Sequence, residues 1–189
     1  EETVKTQLRE LLAHPRVVAV GEMGLDQHYP DPPVNVQQPV FEWQLDLMRE
    51  TGLPGVIHSR KATDSTLATL RASGLPGDRF VFHCFTGEAD ELRAILDFGA
   101  MVSFTGVVTF KGNQALAAAQ DIVPVDRLMI ETDSPYLTPE PFRKIRTNEP
   151  QYVAAVASFL AGRRGMTLEA FVEAVDANAM RFFELKPSV

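Results

Sequence analysis

Phe80-Val81-Phe82-His83 puts three apolar residues in a row and follows them at once with an imidazole. Three other stretches obey the same rule. Val17-Val18-Ala19-Val20-Gly21 runs into Glu22, Gly55-Val56-Ile57 into His58, and Leu128-Met129-Ile130 through Glu131 and Thr132 to Asp133. Short unbroken Val, Ile, Leu and Phe runs are how the strands of a buried parallel sheet read, because helices cover the sheet and leave no polar alternation. The intervening segments have helical spacing, which predicts helices near 2–13, 37–51, 62–73, 88–98, 113–120, 149–163 and 167–184, with strands near 17–21, 54–57, 79–82, 100–104 and 127–131. Gly52, Gly74 and Gly99 each stand just past a helix end, where a left-handed backbone is needed. Strands alternating with helices argue for βαβ units and a parallel sheet. Five such units form an arc of a (β/α)8 barrel, whose full form takes ~250 residues. An open sheet of five parallel strands satisfies the same periodicity.

The composition is that of an ordinary folded chain: 189 residues, 45% hydrophobic and 23% charged. It predicts a single domain over 1–189. No apolar stretch approaches the ~20 residues that cross a bilayer, and the opening Glu1-Glu2-Thr3 is unlike a signal peptide. The single cysteine, Cys84, allows no internal disulfide and fits a reducing, cytoplasmic setting. A net charge of −7 argues against broad attraction to nucleic acid. A polyanionic substrate then requires metal ions and a few local cations to offset its charge.

Functional side chains of a parallel α/β barrel stand where strands end and loops begin. Glu22, His58, His83 and Asp133 share that position, so they are expected to meet at one face. Imidazole with carboxylate suits Zn²⁺, Mn²⁺ and related ions, whereas carboxylate alone leans toward Mg²⁺ or Ca²⁺. A carboxylate can bridge two cations and an imidazole nitrogen binds one. Glu22 and Asp133 are therefore candidates to hold a metal pair, with His58 and His83 completing one of the two shells. Each residue alone has a plainer explanation: a hydrogen-bonded structural histidine, a Glu22–Arg60 ion pair, a turn begun by Asp133. It is their shared topological position that points to a metal site.

The ordered motifs Gly21-Glu22-Met23-Gly24-Leu25-Asp26, Ile57-His58-Ser59-Arg60-Lys61-Ala62 and Phe82-His83-Cys84-Phe85-Thr86-Gly87 continue through Val102-Ser103-Phe104-Thr105-Gly106 and Ile130-Glu131-Thr132-Asp133-Ser134-Pro135-Tyr136-Leu137. With Pro141-Phe142-Arg143 and Asn148-Glu149-Pro150 behind them, they resemble the TatD family of metal-dependent deoxyribonucleases, within the amidohydrolase-type TIM barrels. The resemblance implies a (β/α)8 hydrolase that cuts DNA phosphodiesters, typically 3′ to 5′, with two divalent ions (Mg²⁺, Mn²⁺ or Zn²⁺) in a complete site. It also implies Glu22 as bridging ligand, His58 and His83 as ligands to one metal, and Asp133 as both ligand and acceptor of the attacking water's proton. The family's opening His-x-His pair has no counterpart in this sequence. On that reading the chain starts near the fourth barrel strand and lacks some ~65–70 residues of the barrel.

Arg143-Lys144-Ile145-Arg146 concentrates three cations. The rigid fork of arginine suits phosphate, so Arg143 and Arg146 are the first candidates for the DNA backbone, with Arg60 and Lys111 beside them. Tyr136 is a candidate to stack on a base or sugar. Asp26 is expected to orient a ligand or hold its loop, and His28 is a weaker substrate contact. DNA is the expected substrate, with RNA as a related one. A metal-dependent amidase or lactonase on the same barrel is one competing reading. A non-catalytic remnant that binds metal or nucleic acid is another.

Overall fold

The computed structural model describes residues 2–186, so the ends of the expected 1–189 domain lie outside the described residues. Five strands form one sheet in sequential order: β1 (Val20–Asp26), β2 (Gly55–Arg60), β3 (Phe80–Phe82), β4 (Met101–Phe104) and β5 (Leu128–Ile130). Every neighbouring pair is parallel. Seven α-helices accompany them: α1 (Glu2–Leu12), α2 (Val34–Thr51), α3 (Thr63–Ser73), α4 (Ala89–Phe98), α5 (Gln114–Ala119), α6 (Val153–Arg163) and α7 (Leu168–Phe182). A doubly wound sheet reverses its strand order at a switch point. Here the order never reverses, as in a barrel that is not closed. No described helix is long and apolar enough to cross a membrane.

The two faces of the sheet differ. Ile57, Phe80, Phe82, Val102, Phe104 and Leu128 point to one side and pack with residues of α2 to α7 in a single large core. Fully burying each such side chain is worth about 1.5–3 kcal/mol, so this face holds the fold together. The alternate residues Val81, Met101 and Met129 point to the other side, where, among the described residues, Phe182, Phe183 and Val56 join them. Side chains alternate along a strand. Two residues beyond Val56, Val81, Met101 and Met129, this sparsely covered face therefore receives His58, His83, Ser103 and Glu131.

The first two strands differ from expectation. β1 runs on to Asp26, five residues past the expected strand end at Gly21, and β2 continues to Arg60. Glu22 and His58 thus lie within strands rather than just after them. A polar residue had been read as the end of each run, but Met23 and Leu25 are buried beyond Glu22, and the strand continues on that alternation. Pairing with β2 shifts between Val20 and Met23, where three steps along β1 match two along β2. Such a bulge re-aims side chains, and Glu22 sits in it. The long loop expected over 23–36 shrinks accordingly to the stretch between Asp26 and Val34.

Candidate metal centre

Backbone contact brings β1 close to His58. Gly24 has φ +138°, and a Cβ at this position would stand 2.1 Å from the His58 carbonyl oxygen. Only glycine permits that approach. From the adjoining strands, one oxygen of Glu22 and one ring nitrogen each of His58 and His83 converge, all within 4.8 Å of one another. Glu22 Oε2 lies 2.7 Å from His83 Nε2, and His58 Nδ1 lies 3.3 Å from the same nitrogen. His83 is well enclosed while Glu22 reaches into the open, with side-chain exposures of 12% and 56%.

The neighbours of each ring decide which nitrogen faces the convergence. His58 Nε2 is 3.1 Å from Asp26 Oδ2. An ionised carboxylate only accepts hydrogen bonds, so His58 donates from Nε2 and its Nδ1 lone pair is left facing His83. Burial works against the charged form of Asp26, but the His28 amide and the His58 ring outweigh it and hold its carboxyl below the usual carboxylate value. Asp26, expected from sequence to orient a ligand or hold its loop, lies against the His58 ring and accepts from the His28 amide of the loop. On the other side, Glu131 Oε2 stands 3.9 Å from His83 Nδ1. That is too long for a hydrogen bond; the carboxylate in direct contact with this ring is Glu22, at Nε2, the nitrogen that a cation between the two would share.

Sequence reading passed over Glu131 in favour of Asp133. Glu131 also accepts a hydrogen bond of 2.8 Å from the Cys84 amide, fixing Cys84 at φ +46°, a left-handed conformation that costs about 1–3 kcal/mol. Burial pushes the Cys84 thiol up to about 12, the Thr105 hydroxyl opposes this, and the charges of Asp133, Glu131 and Glu22 reinforce it. The period-two alternation Met129, Glu131 carried the missing signal, because it sets Glu131 on the same face as the histidines.

The three converging atoms fit a divalent cation. Two nitrogens bound tetrahedrally at their usual zinc distances stand about 3.4 Å apart, close to the 3.3 Å between His58 Nδ1 and His83 Nε2. Two imidazoles and a carboxylate form a donor set for Zn²⁺ or Mn²⁺. It is the one such group among the described residues.

Asp133 is not part of that convergence. It lies beyond the end of β5 and lines a cavity of about 470 Å³ together with Tyr29, His58, Arg60, His83 and Tyr136. A second hollow of about 350 Å³, on the β1 side, is lined by Glu22, Asp26, Tyr29 and His58. Neither hollow is lined by Lys111, Arg143 or Arg146. The Arg143 guanidinium sits 3.9 Å from the Phe110 ring centre and donates to the Thr138 carbonyl, so it braces its own loop. His28 is likewise engaged, its ring set edge-on against Tyr29.

A model of the family described as TatD related DNase matches residues 1–184. The chain belongs to this family. An uncharacterized metal-dependent hydrolase, YabD of Bacillus subtilis, is 42% identical over 178 residues, which is 94% of this chain and 69% of the relative. A protein of Erwinia billingiae named as a 3′-5′ ssDNA/RNA exonuclease, TatD, is 39% identical over 195 residues, 97% of this chain and 72% of that protein. The crystal structure of YJJV, a TatD homologue of Escherichia coli, superposes with a TM-score of 0.91 at 27% identity, covering 98% of this chain and 72% of that one. The chain thus spans roughly two thirds of the length of these TatD-type relatives, and its open strand arc corresponds to part of their barrel.

Proposed function

We propose that this chain carries the divalent-metal site of a phosphodiesterase acting on nucleic-acid ends. The observation that carries the reading is the convergence of Glu22, His58 and His83 beside a cavity that also holds Asp133 and Arg60. When bound, a divalent cation supplies positive charge that polarises a phosphoryl oxygen and acidifies water at neutral pH. Asp133 stands across the cavity as the base that takes the proton from the attacking water. Arg60 offers its guanidinium fork to the phosphate. Glu22, half in solvent, is the ligand best placed to serve a second ion. The Erwinia relative's name supports a 3′-to-5′ direction and single-stranded DNA or RNA as substrate.

With Arg143 turned onto Phe110, the preference for a phosphodiester over an amide or lactone rests on Arg60 and on that relative. Nucleotide release from the 3′ end of a labelled oligonucleotide, with Mg²⁺ or Mn²⁺, tests the reading. Asp133→Asn should abolish release while metal binding persists. Equal release by both proteins would sink it.

A further inference from the structure

Two exposed tyrosines border the candidate site. Tyr29 is 58% exposed and Tyr136 is 69% exposed, and both line the cavity shared by His58, His83 and Asp133. Exposed single aromatics are common; what separates these two is how firmly their backbones are held. The turn bearing Tyr29 is closed by the Asp26 carboxylate, which accepts from the His28 amide at 2.8 Å. Gln37 clamps the same turn from α2, donating to the carbonyls of Asp26 and Pro32 and accepting from the Asp26 amide. The Tyr136 segment is fixed in a similar way. Its amide donates to the Asp133 carbonyl at 2.7 Å, and buried Asn148 donates its side-chain amide to the Tyr136 carbonyl at 2.6 Å. Each ring is therefore presented from an ordered segment, and a ring already in place loses little freedom when a flat partner lies on it.

Charge narrows the identity of that partner. The chain carries −7 overall, and the cavity is lined by one arginine, Arg60. Its guanidinium carbon lies 5.4 Å from the Tyr29 ring centre, which stiffens the ring and leaves other donors of the fork for a phosphate. Lys111, Arg143 and Arg146 are not in the lining. Beyond the proposed cation and Arg60, the lining offers a phosphate no further charged partner, so flat, uncharged contact is the remaining source of affinity. About 470 Å³ lies within the range of single small-ligand pockets and suits one nucleotide at a time.

From this, and resting on the nucleic-acid reading above, we infer that Tyr29 and Tyr136 are the base-binding platform of the cleft. The single-stranded substrate proposed above then lays its terminal base on them. Bases within a duplex are stacked on one another and cannot reach the rings.

The inference is tested on the whole chain with an oligonucleotide bearing 2-aminopurine at its 3′ end, by fluorescence quenching and anisotropy, without metal and with Mn²⁺. Tyr29→Leu and Tyr136→Leu should each weaken binding about tenfold, whereas Tyr29→Phe and Tyr136→Phe should bind like the parent. An oligonucleotide with an abasic 3′ end should bind weakly and show no difference among the variants. The slope of log affinity against log salt should stay near the ~0.7 expected for one phosphate contact on a single strand. Leucine variants that bind like the parent, or a slope of several phosphates, would overturn the platform. Hydrolysis of the base-free diester bis(p-nitrophenyl) phosphate separates the two readings. If the chain hydrolyses it but its oligonucleotide affinity ignores the tyrosines, the platform fails and the phosphodiesterase stands. If it neither hydrolyses the diester nor binds the oligonucleotide, both fail.

Discussion

The His58 imidazole has two nitrogens and two neighbours, and the site depends on which nitrogen faces which. Asp26 takes the proton side at 3.1 Å, so the other side is free to bind a cation. Removing such a carboxylate partner typically weakens metal affinity 10–100-fold. Asp26→Ala should do the same to Mn²⁺ or Zn²⁺ affinity, measured by competition with a chelating dye, while the protein stays folded by circular dichroism. Unchanged affinity would show that His58 is oriented by something else. His58, His83 and Glu22 were legible in the sequence because each interrupts an apolar run. Glu131 was not, because Asp133 two residues on fitted the same pattern and only the alternation along β5 separates their roles. The expected roles of Arg143 and Arg146 are less readable for a related reason: density of charge in the sequence says nothing about direction, and Arg143 lies over Phe110.

Among the elements, α1 and α2 are joined by a pair whose behaviour with pH can be worked out. Arg9 donates from Nε and Nη2 to the two oxygens of Glu50, at 3.0 and 3.1 Å. The hydrogen bond from Arg9 holds the Glu50 carboxyl below its ordinary value, against an opposing effect of desolvation and with the Arg9 charge assisting. A carboxyl with a lowered value in the fold binds fewer protons there than in the unfolded chain, so its contribution is present above the unfolded value of ~4.3 and lost as pH falls through the folded one. Parent and Glu50→Gln should therefore differ in urea midpoint at pH 7, and the difference should shrink progressively as pH falls below about 4. A difference that does not shrink on acidification would show that the glutamine disturbs packing instead.

Element types were mostly readable from periodicity, and the glycines at 52, 74 and 99 do take positive φ at helix ends. Strand ends were less readable. The expected stop at Gly21 assumed that polarity ends a strand, yet the face of β1 that holds Glu22 has almost no core to join, so a charged side chain can sit mid-strand there. Direct pairing of Gly24 with His58 across β1 and β2 was likewise invisible in either segment alone.

At the scale of the molecule, the three converging atoms come from β1, β2 and the residue that follows β3, so a cation that bridged them would also tie these three strands together. An ion that binds only the folded chain stabilises it by mass action, by about 2.7 kcal/mol at a hundred times its dissociation constant. For a domain of this size that is a rise in Tm of roughly 5–10 °C. Thermal unfolding with and without Mn²⁺ should show this rise in the parent and none in His83→Ala. A rise that survives in His83→Ala would remove that ring from the centre. The sequential order of the five strands and the family to which they belong account for the architecture, which periodicity alone left open between an arc of barrel and a free-standing sheet.

The unequal faces of the sheet have a consequence for how such a protein can change. Packing is concentrated where the helices lie, and the residues of the candidate metal centre contribute little to it. Substitutions among the latter can alter ion preference, reactivity or the molecule accepted while leaving the scaffold upright. Selection can thus explore new chemistries on one side of a sheet whose other side stays fixed.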